Sequence, residues 1–444
     1  MLYSETMKRA AKTHQLREID TSAQNRSRYV LGVLVLVYAF NHLDRQVFGV
    51  LMEPIKRDLG LSDSAMGFLG GMSFALFNAV AGLPIARWAD RGSRKMIISI
   101  GIVLWSTATA ASGLARSFAH LAIARVTTGV GEASTVPAAH SIISDYFPPQ
   151  RRATALAIFV VGAHAGVALG FLLGGLIAES LGWRAAFFIL GAPGVLLALL
   201  VWLTVREPER GASESESVDP RSLSWSEVLH FLRTSRGFSW LLLAQALHAF
   251  SGFGLIVWTA PLLMRVHGIG IAQAGLWIGP IAGISGALGV VAGGRLADYL
   301  GTRDPHWYLR LPALVALLGL PFTVVFIMSE SVELALLCLV PHSFFVAVSS
   351  GPVAAVVQSI VQVRMRALAA AINLFATNLI GMGLGPQVVG LVSDALGARA
   401  GNDALRYGML TVGIANLIAG AFYLLADRAL QSPSSHSGPQ RTQR

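Results

Sequence analysis

The stretch Ala86-Arg-Trp-Ala-Asp90-Arg-Gly-Ser-Arg94-Lys95 lies between two apolar runs, and a similar stretch, Gly294-Arg-Leu-Ala-Asp298-Tyr-Leu-Gly301-Thr-Arg303, follows 208 residues later. A second repeat pairs Glu179-Ser-Leu-Gly182-Trp-Arg184 with Asp394-Ala-Leu-Gly397-Ala-Arg399, at an offset of 215. Repeats at two such similar offsets predict a chain built from two parallel halves, with a basic turn after the second helix of each half.

The composition places the chain in a lipid bilayer. Hydrophobic residues make up 54% of its 444 residues, charged residues only 13%, and the mean hydropathy is +0.60. Soluble globular proteins carry about 25% charged residues. The 46 glycines and 18 prolines, spread through apolar runs, are typical of packed transmembrane helices. The only cysteine, Cys338, excludes an internal disulfide and a cysteine metal cluster.

The net charge of +10 follows membrane topology and does not indicate nucleic-acid binding. Lys and Arg concentrate in alternate loops and in both tails, which is the positive-inside pattern and predicts cytoplasmic termini. The basic segments are the N-terminal tail, Arg87–Lys95, Arg151 with Arg152, the 206–236 linker, Arg295–Arg310, Arg364 with Arg366, and the C-terminal tail. Because residues 1–28 are polar and basic and the first apolar run begins near Tyr29, we expect no cleavable signal peptide. We expect a multi-pass protein of a bacterial inner membrane.

Twelve segments are long and apolar enough to cross a bilayer, at roughly 20 residues per crossing. They are 29–52, 64–89, 95–114, 118–146, 152–180, 184–205, 237–265, 272–299, 308–328, 333–362, 366–396 and 404–427. We predict an all-α membrane protein with two pseudo-symmetric six-helix bundles. Its divisions are a cytoplasmic tail (1–28), an N-terminal bundle (29–205), a cytoplasmic linker (206–236), a C-terminal bundle (237–427) and a disordered cytoplasmic tail (428–444).

The first basic turn resembles the major facilitator signature G-x-L-A-D-R-x-G-R-K. Asp90, Arg91, Arg94 and Lys95 match it, whereas Ala86 and Trp88 replace its first glycine and its leucine. The resemblance extends over residues 29 to 427. It implies the major facilitator fold, a binding site near the midplane between the two halves, and alternating access by rocking of one half against the other.

Further motifs resemble the spinster-like branch of this superfamily, with the anion:cation symporters nearby. They are Asn41-His42-Leu43-Asp44-Arg45, Arg125-Val-Thr-Thr-Gly129-Val-Gly131-Glu132-Ala-Ser134, Arg364-x-Arg366-Ala and Gly385-Pro386. Eukaryotic members of the branch are associated with sphingolipid and lysophospholipid export. The resemblance therefore implies an amphipathic lipid-like substrate.

Four charged residues fall at membrane depth: Asp44 and Arg45 in the first helix, Arg125 and Glu132 in the fourth. A charge at the bilayer centre costs at least ~3 kcal/mol, so these residues need partners or a water-filled cavity. One interpretation is a permanent ion-pair clasp that fixes the two helices together. The other is a proton-coupling site in which Asp44 or Glu132 carries the proton and Arg45 and Arg125 control it.

The two basic turns supply the candidate gating residues. These are Asp90, Arg91, Arg94, Lys95, Asp298 and Arg303. By resemblance to the family, we expect their contacts to form in the outward-facing state and to break in the inward-facing one. The alternative is that these charges only set membrane topology.

The two halves differ in character, and the difference predicts the substrate. The first half carries the membrane charges and the second offers aromatic and amide groups, an asymmetry that suits an amphipath with a polar head and a hydrocarbon tail. The candidate substrate-binding residues are Asn41, His42, Arg45, Arg125, Phe250, Trp258, Asn373 and Asn378.

Other functions remain open at this stage. A small organic anion, such as an aromatic or sugar acid, would use Arg45 and Arg125 as a carboxylate clamp. A non-transporting receptor or scaffold, and a flippase without ion coupling, are further alternatives. We expect no enzyme activity, no metal and no cofactor other than a proton gradient as energy source. The expected partners are the bilayer, protons and a small amphipath, and we expect a monomer.

Overall fold

A computed structural model describes residues 2–209, 235–360 and 366–431, and every regular element in these ranges is helical. The helices are α1 (Leu2–Leu59), α2 (Asp63–Gly67, continued through a π-helical turn at Phe68–Met72 into Ser73–Arg91), α3 (Arg94–Ser112), α4 (Phe118–Glu132), α5 (Thr135–Tyr146), α6 (Pro149–Thr204), α7 (Arg236–Val266), α8 (Ile271–Pro280, continued through a π-helical turn at Ile281–Ser285 into Gly286–Gly301), α9 (Trp307–Met328), α10 (Val332–Val348), α11 (Ser350–Ile360), α12 (Arg366–Ala376), a π-helical segment (Thr377–Leu384), α13 (Gly385–Ala400) and α14 (Ala404–Gln431). Most of the predicted linker and C-terminal tail, together with Arg364, lie outside the described residues.

Eight helical segments in the described ranges are long and apolar enough to cross a membrane. They are Asp63–Ala89, Arg94–Ser112, Pro149–Thr204, Arg236–Val266, Ile271–Gly301, Trp307–Met328, Val332–Val357 and Ile372–Leu430. The third and the last contain 56 and 59 residues, enough for two crossings each at about 20 residues per crossing. Gly182 divides the third with a φ of 82°, a backbone conformation that glycine adopts without a Cβ clash.

Irregular turns interrupt the helices near the middle of the fold. The predicted helix 118–146 divides at Ala133 and Ser134, and the predicted helix 333–362 divides at Ser349. The second helix of each half, α2 and α8, contains one such π-helical turn, although the two turns are 213 positions apart and so do not follow the offset of 208 between the basic turns. Such turns are common at functional sites because they disturb the regular i→i−4 bonding and re-aim backbone carbonyls.

Glycines allow the closest helix contacts of the first half (α1–α6). Those at 162, 166, 170 and 174 of α6 all face α1, and a Cβ at Gly170 would lie 2.7 Å from the Leu43 carbonyl oxygen. Backbones that approach this closely gain dispersion contacts, which drive helix association in lipid. The second half (α7–α14) meets the first mainly through contacts of α6 with α8, α2 with α13 and α1 with α7.

Ion pairs join the two halves at one end of the molecule. Arg265 Nε lies 2.6 Å from Glu53 Oε2, and its two terminal nitrogens donate to both Asp63 carboxylate oxygens, each at 2.6 Å. Lys56 Nζ adds a contact of 2.7 Å to Asp63. We call this region the closed end and define it by residues 53–64, 113–117, 179–184, 265–272 and 390–404. The two halves are in polar contact here.

Candidate functional site

Three neighbouring polar residues of α1 point in three different directions, because successive side chains on a helix diverge by about 100°. Asp44 faces α3, where Thr109 Oγ1 donates to its Oδ2 at 3.2 Å. Arg45 faces α4 and pairs with Glu132. His42 faces the interface between the two halves. One turn of α1 therefore contacts both the interior of the first half and the interface.

The structure brings Arg45 and Glu132 together, as the helix spacing allows. Arg45 Nε lies 2.6 Å from Glu132 Oε2, the Glu132 side chain is fully buried, and the Arg45 side chain is 20% exposed. The other Glu132 oxygen, Oε1, and Asp44 Oδ1 are buried with no hydrogen-bond partner among the described residues. Each carboxylate therefore keeps one oxygen that no described group satisfies.

Arg125 sits apart from this ion pair and is held by backbone and aromatic groups. Its Nε donates to the Leu69 carbonyl oxygen at 3.1 Å, inside the π-helical turn of α2. Its guanidinium lies 4.6 Å from the Phe48 ring centre and 5.1 Å from that of Phe74, and the Arg45 guanidinium lies 4.8 Å from the same Phe74 ring. Because an aromatic face attracts a cation, Phe74 stabilises both guanidinium groups.

A cavity of about 440 Å³ lies between the halves, with a mostly apolar wall. Helices α1 and α6 line it from the first half, and α7, α8, α10 and α11 line it from the second. Its polar side chains are neutral donors and acceptors, among them His42, Gln46, His164, Gln245, His248 and His342. None of the described residues that line it is Asp, Glu, Lys or Arg.

Of the predicted substrate-binding residues, only His42 lines this cavity. Trp258 of α7 is fully buried against α13, where its Nε1 donates to the Pro386 carbonyl oxygen at 2.9 Å. Asn378 Nδ2 lies 3.5 Å from Asn78 Oδ1 across the two halves.

The other predicted substrate residues also lie outside the cavity wall. Asn41 is buried, and Phe250 packs against the hydrophobic core. Asn373 has a buried Oδ1 without a hydrogen-bond partner among the described residues. Periodicity alone could not separate these positions from cavity positions, because one helical turn often decides which side a residue faces.

Most of the polar residues in the cavity wall were not predicted from the sequence. His164, His248 and His342 come from three different helices, and Gln46 and Gln245 join them. One sequence feature could have identified these residues: each is a polar side chain within an apolar membrane segment, and such side chains usually face the protein interior or a cavity. In the described part of the chain, no group of three or more His, Cys, Asp or Glu is placed to hold a metal ion.

Two of the cavity histidines have fixed neighbours in the second half. His248 Nδ1 lies 2.8 Å from Asn416 Oδ1 and its Nε2 lies 3.0 Å from the Val346 carbonyl oxygen. His342 Nδ1 lies 2.8 Å from Thr323 Oγ1. These contacts hold the two imidazoles in defined orientations at the cavity wall.

The contacts of the basic turns in the described residues do not cross the interface between the two halves. Arg94 is 1% exposed, pairs with Asp145 and Glu207, and also donates to the Pro208 carbonyl oxygen at 2.8 Å. The Lys95 ammonium lies 3.4 Å from the Trp202 carbonyl oxygen. Arg94 therefore joins the start of α3 to α5 and to the segment that follows α6.

The remaining predicted gating residues show the same pattern. Tyr308 donates to Asp298 Oδ1 at 2.8 Å, and Arg303 donates to the Tyr299 hydroxyl at 2.6 Å, both within the second half. Arg91 is exposed, and the Asp90 side chain lies outside the described part of the structure.

Glu207 caps the start of α3. It accepts from the backbone N–H groups of Arg94 at 3.2 Å and Lys95 at 3.0 Å and from the Ser93 hydroxyl at 2.9 Å. Burial alone would raise the pKa of Glu207, but these hydrogen bonds and the Arg94 guanidinium outweigh it and lower that pKa. The carboxylate therefore stays ionised at the positive end of the α3 dipole.

Apolar helices around a cavity between two halves are an architecture typical of membrane transporters, and the similarity to known proteins gives the class. The Major Facilitator Superfamily family description matches residues 34–386, and the chain belongs to this superfamily. An MFS-type efflux pump of Mycolicibacterium smegmatis is 36% identical over 411 residues, which cover 92% of this chain and 94% of that protein.

Within the superfamily, the chain resembles the spinster branch. A crystal structure of a bacterial homolog to the human lysosomal transporter Spinster, inward-facing and unoccupied, aligns with a TM-score of 0.82 and 33% identity over 92% of this chain and 99% of that one. The sphingosine-1-phosphate transporter SPNS2 of Danio rerio is 26% identical over 423 residues, covering 88% of this chain and 82% of that protein.

Proposed function

We propose that the chain is a proton-coupled secondary transporter that moves an amphipathic, lysophospholipid- or sphingolipid-like substrate by rocker-switch alternating access. In this proposal it crosses a bacterial inner membrane twelve times, keeps both termini in the cytoplasm, and works as a monomer. Eight apolar segments, two of them long enough for two crossings each, account for ten of these crossings, and we assign the other two to α1 and to the pair α4–α5.

The cavity is the observation that carries the substrate proposal. Its wall is mostly apolar, and its imidazole, amide and hydroxyl groups include no full charge among the described lining residues. A hydrocarbon tail gains from burial against such a wall, whereas the neutral polar groups suit a headgroup. The resemblance to proteins named as spinster and sphingosine-1-phosphate transporters points to the same substrate class.

A small organic anion is the competing substrate, and the geometry favours it less. That reading requires Arg45 and Arg125 to clamp a carboxylate, but Arg45 is paired with Glu132 and Arg125 with the Leu69 carbonyl oxygen. Neither arginine lines the cavity. A carboxylate ligand would have to displace these partners first.

The buried carboxylates support proton coupling. Asp44 makes no ion pair in the described part of the chain, and its Oδ1 has no partner there. A proton on this oxygen removes an uncompensated buried charge, which is costly in an apolar interior. Glu132 is the alternative carrier, because loss of the Arg45 contact leaves it in the same situation.

Ligand-induced thermal stabilisation tests the substrate class. Purified protein is titrated with a lysophospholipid below its micellar concentration and, separately, with glucuronate. We expect the lysophospholipid to raise the melting temperature of wild type, and His342→Ala, which alters the cavity wall, to reduce the shift. If glucuronate raised the melting temperature and the lysophospholipid did not, the result would contradict a lipid-like substrate and favour an organic anion.

Proton movement into reconstituted vesicles tests the coupling. The variants are Asp44→Asn and Glu132→Gln, and Asp58→Asn serves as the control because that exposed carboxylate pairs with Arg184 within the first half. We expect substrate-driven proton uptake in wild type and in the control, and its loss in at least one membrane variant. Uptake that survives both membrane substitutions would remove these carboxylates from the coupling mechanism.

A further inference from the structure

Two carboxylates at the closed end bind the first backbone N–H groups of helices in the opposite half. Asp394, in α13, accepts from the Asp63 amide at 2.9 Å and from the Ser64 amide at 2.8 Å. Glu179, in α6, accepts from the Ala272 amide at 2.9 Å. The second half therefore caps α2 of the first half, and the first half caps α8 of the second.

The two caps are related by the internal repeat. Glu179 and Asp394 are 215 positions apart, as are Gly182 and Gly397 of the same repeated stretch. The capped residues Ser64 and Ala272 are 208 positions apart, the offset of the two basic turns. A single arrangement thus occurs twice, once in each direction across the interface.

A glycine one turn before each carboxylate makes room for the capped helix. A Cβ at Gly175 would lie 2.6 Å from the Ile271 carbonyl oxygen, and one at Gly390 would lie still closer to the Asp63 carbonyl oxygen. These glycines are also 215 positions apart. Each half therefore carries a Gly-x-x-x-acid unit that receives the first turn of a helix from the other half.

The physical effect of these contacts is to hold the closed end together. The first N–H groups of a helix lack intrahelical partners and carry the positive end of the dipole, so a carboxylate stabilises them. Here the carboxylate and the N–H groups belong to different halves. Separation of the halves at this end breaks both caps together and leaves the N–H groups without their carboxylates.

We propose that Glu179 and Asp394 form a paired latch that sets how often the closed end opens. The inference rests on the alternating access proposed above but not on the identity of the substrate. The latch acts beside the Arg265 contacts with Glu53 and Asp63, and Ser393 Oγ adds a bond of 2.6 Å to Asp63 Oδ2. Unlike those ion pairs, the two caps are equivalent across the repeat.

Distances between spin labels on opposite halves test the latch. Labels at Leu114→Cys and Asn402→Cys, both at the closed end, are introduced into a Cys338→Ala background, since Cys338 is the only native cysteine. Electron double resonance on the protein in nanodiscs then reports the fraction of molecules with a widened closed end. Glu179→Gln and Asp394→Asn are compared with Asp58→Asn, a closed-end carboxylate that pairs with Arg184 inside one half.

We expect each latch substitution to raise the ratio of open to closed molecules about two- to fivefold, and the double variant to raise it further. Because both carboxylates are exposed, high salt should weaken the latch and reduce the difference from wild type. Gly175→Ala and Gly390→Ala should open the same end without any change of charge.

Two results would overturn the latch. One is a distance distribution that stays at the wild-type value in both carboxylate variants. The other is an equal opening in Asp58→Asn, which would make the effect one of surface charge in general. If the variants keep the melting temperature of wild type, a change in the distances reports a shift between open and closed molecules and not poor folding. The distances test the latch even if lysophospholipid does not bind, because the measurement needs no substrate.

Discussion

Removal of one partner from the Arg45–Glu132 pair should be far more damaging than removal of both. Arg45→Met leaves the fully buried Glu132 without its cation, while Glu132 Oε1 already lacks a partner among the described residues. Truncating one member of a buried ion pair costs about 3–5 kcal/mol. Because the Arg45 side chain is 20% exposed, we expect the lower end, about 3 kcal/mol.

The double variant Arg45→Met with Glu132→Gln removes the buried charge as well as its partner. An apolar or neutral replacement of a whole buried pair is often close to neutral, so we expect the combined loss of stability to be about 1 kcal/mol. The expected coupling energy between the two positions is therefore about 2 kcal/mol or more. Reversible unfolding in mixed micelles, with SDS as the denaturant, measures the free energy of unfolding of wild type, of both single variants and of the double variant.

A matched control lies on the same helix. Arg57 pairs with the buried Glu53, but its own side chain is 68% exposed, so Arg57→Met should cost less than about 0.5 kcal/mol. Additive losses at Arg45 and Glu132, with a coupling energy near zero, would refute the reasoning. Transport by the stable double variant separates the two original interpretations: a permanent clasp predicts retained proton coupling, and a proton switch predicts its loss.

Three further predictions concern packing and the first basic turn. Arg94→Lys should lower the free energy of unfolding by about 2 kcal/mol in the same assay, because a lysine cannot replace all the hydrogen bonds of a guanidinium that is 1% exposed. Arg91→Lys, at an exposed position, should leave the free energy of unfolding nearly unchanged. Gly170→Ala should cost about 1–3 kcal/mol, because its Cβ meets the α1 backbone at 2.7 Å, and Gly294→Ala, with no atom within 4 Å, should be neutral by the same measurement. Because the pKa of Glu207 is lowered in the folded protein, the ionised carboxylate stabilises α3 fully above its unfolded-state pKa of about 4.3, and this stabilisation is lost as the pH falls through the lower folded-state pKa. Amide hydrogen exchange at residues 93–96, corrected for the intrinsic effect of pH, should therefore become faster as the pH falls over this interval in wild type but not in Glu207→Gln. Equal pH dependence in both proteins would contradict this assignment.

The two-half organisation was predictable because a repeated helix pair leaves repeated sequence. The offset of 215 between Glu179 and Asp394 was visible in the chain, and so was the offset of 208 between the basic turns. What those acids bind was not predictable. Their partners are backbone N–H groups of the other half, and backbone groups leave no trace in the pattern of side chains.

The cavity wall was harder to predict than the charged residues. A charge inside an apolar helix is rare enough to identify Arg45 and Glu132 individually, and the Arg45–Glu132 contact follows from the rule that such charges pair. Histidines do not carry that signal, since a buried neutral imidazole is common. His164, His248 and His342 form one wall only because α6, α7 and α10 meet there, which is a tertiary property.

Helix α1 is the element through which the cavity and the buried charges are linked. His42 and Gln46, one turn apart, face the cavity, while Arg45 between them holds Glu132 in the interior of the first half. A ligand that contacts His42 and Gln46 therefore acts on the same rigid turn that positions the Arg45 guanidinium. A rotation of α1 that moves one face must move the other, because the helix backbone couples them over about 5 Å. Since Glu132 has no second cation within ion-pair distance in the described residues, such a rotation changes its charge balance directly.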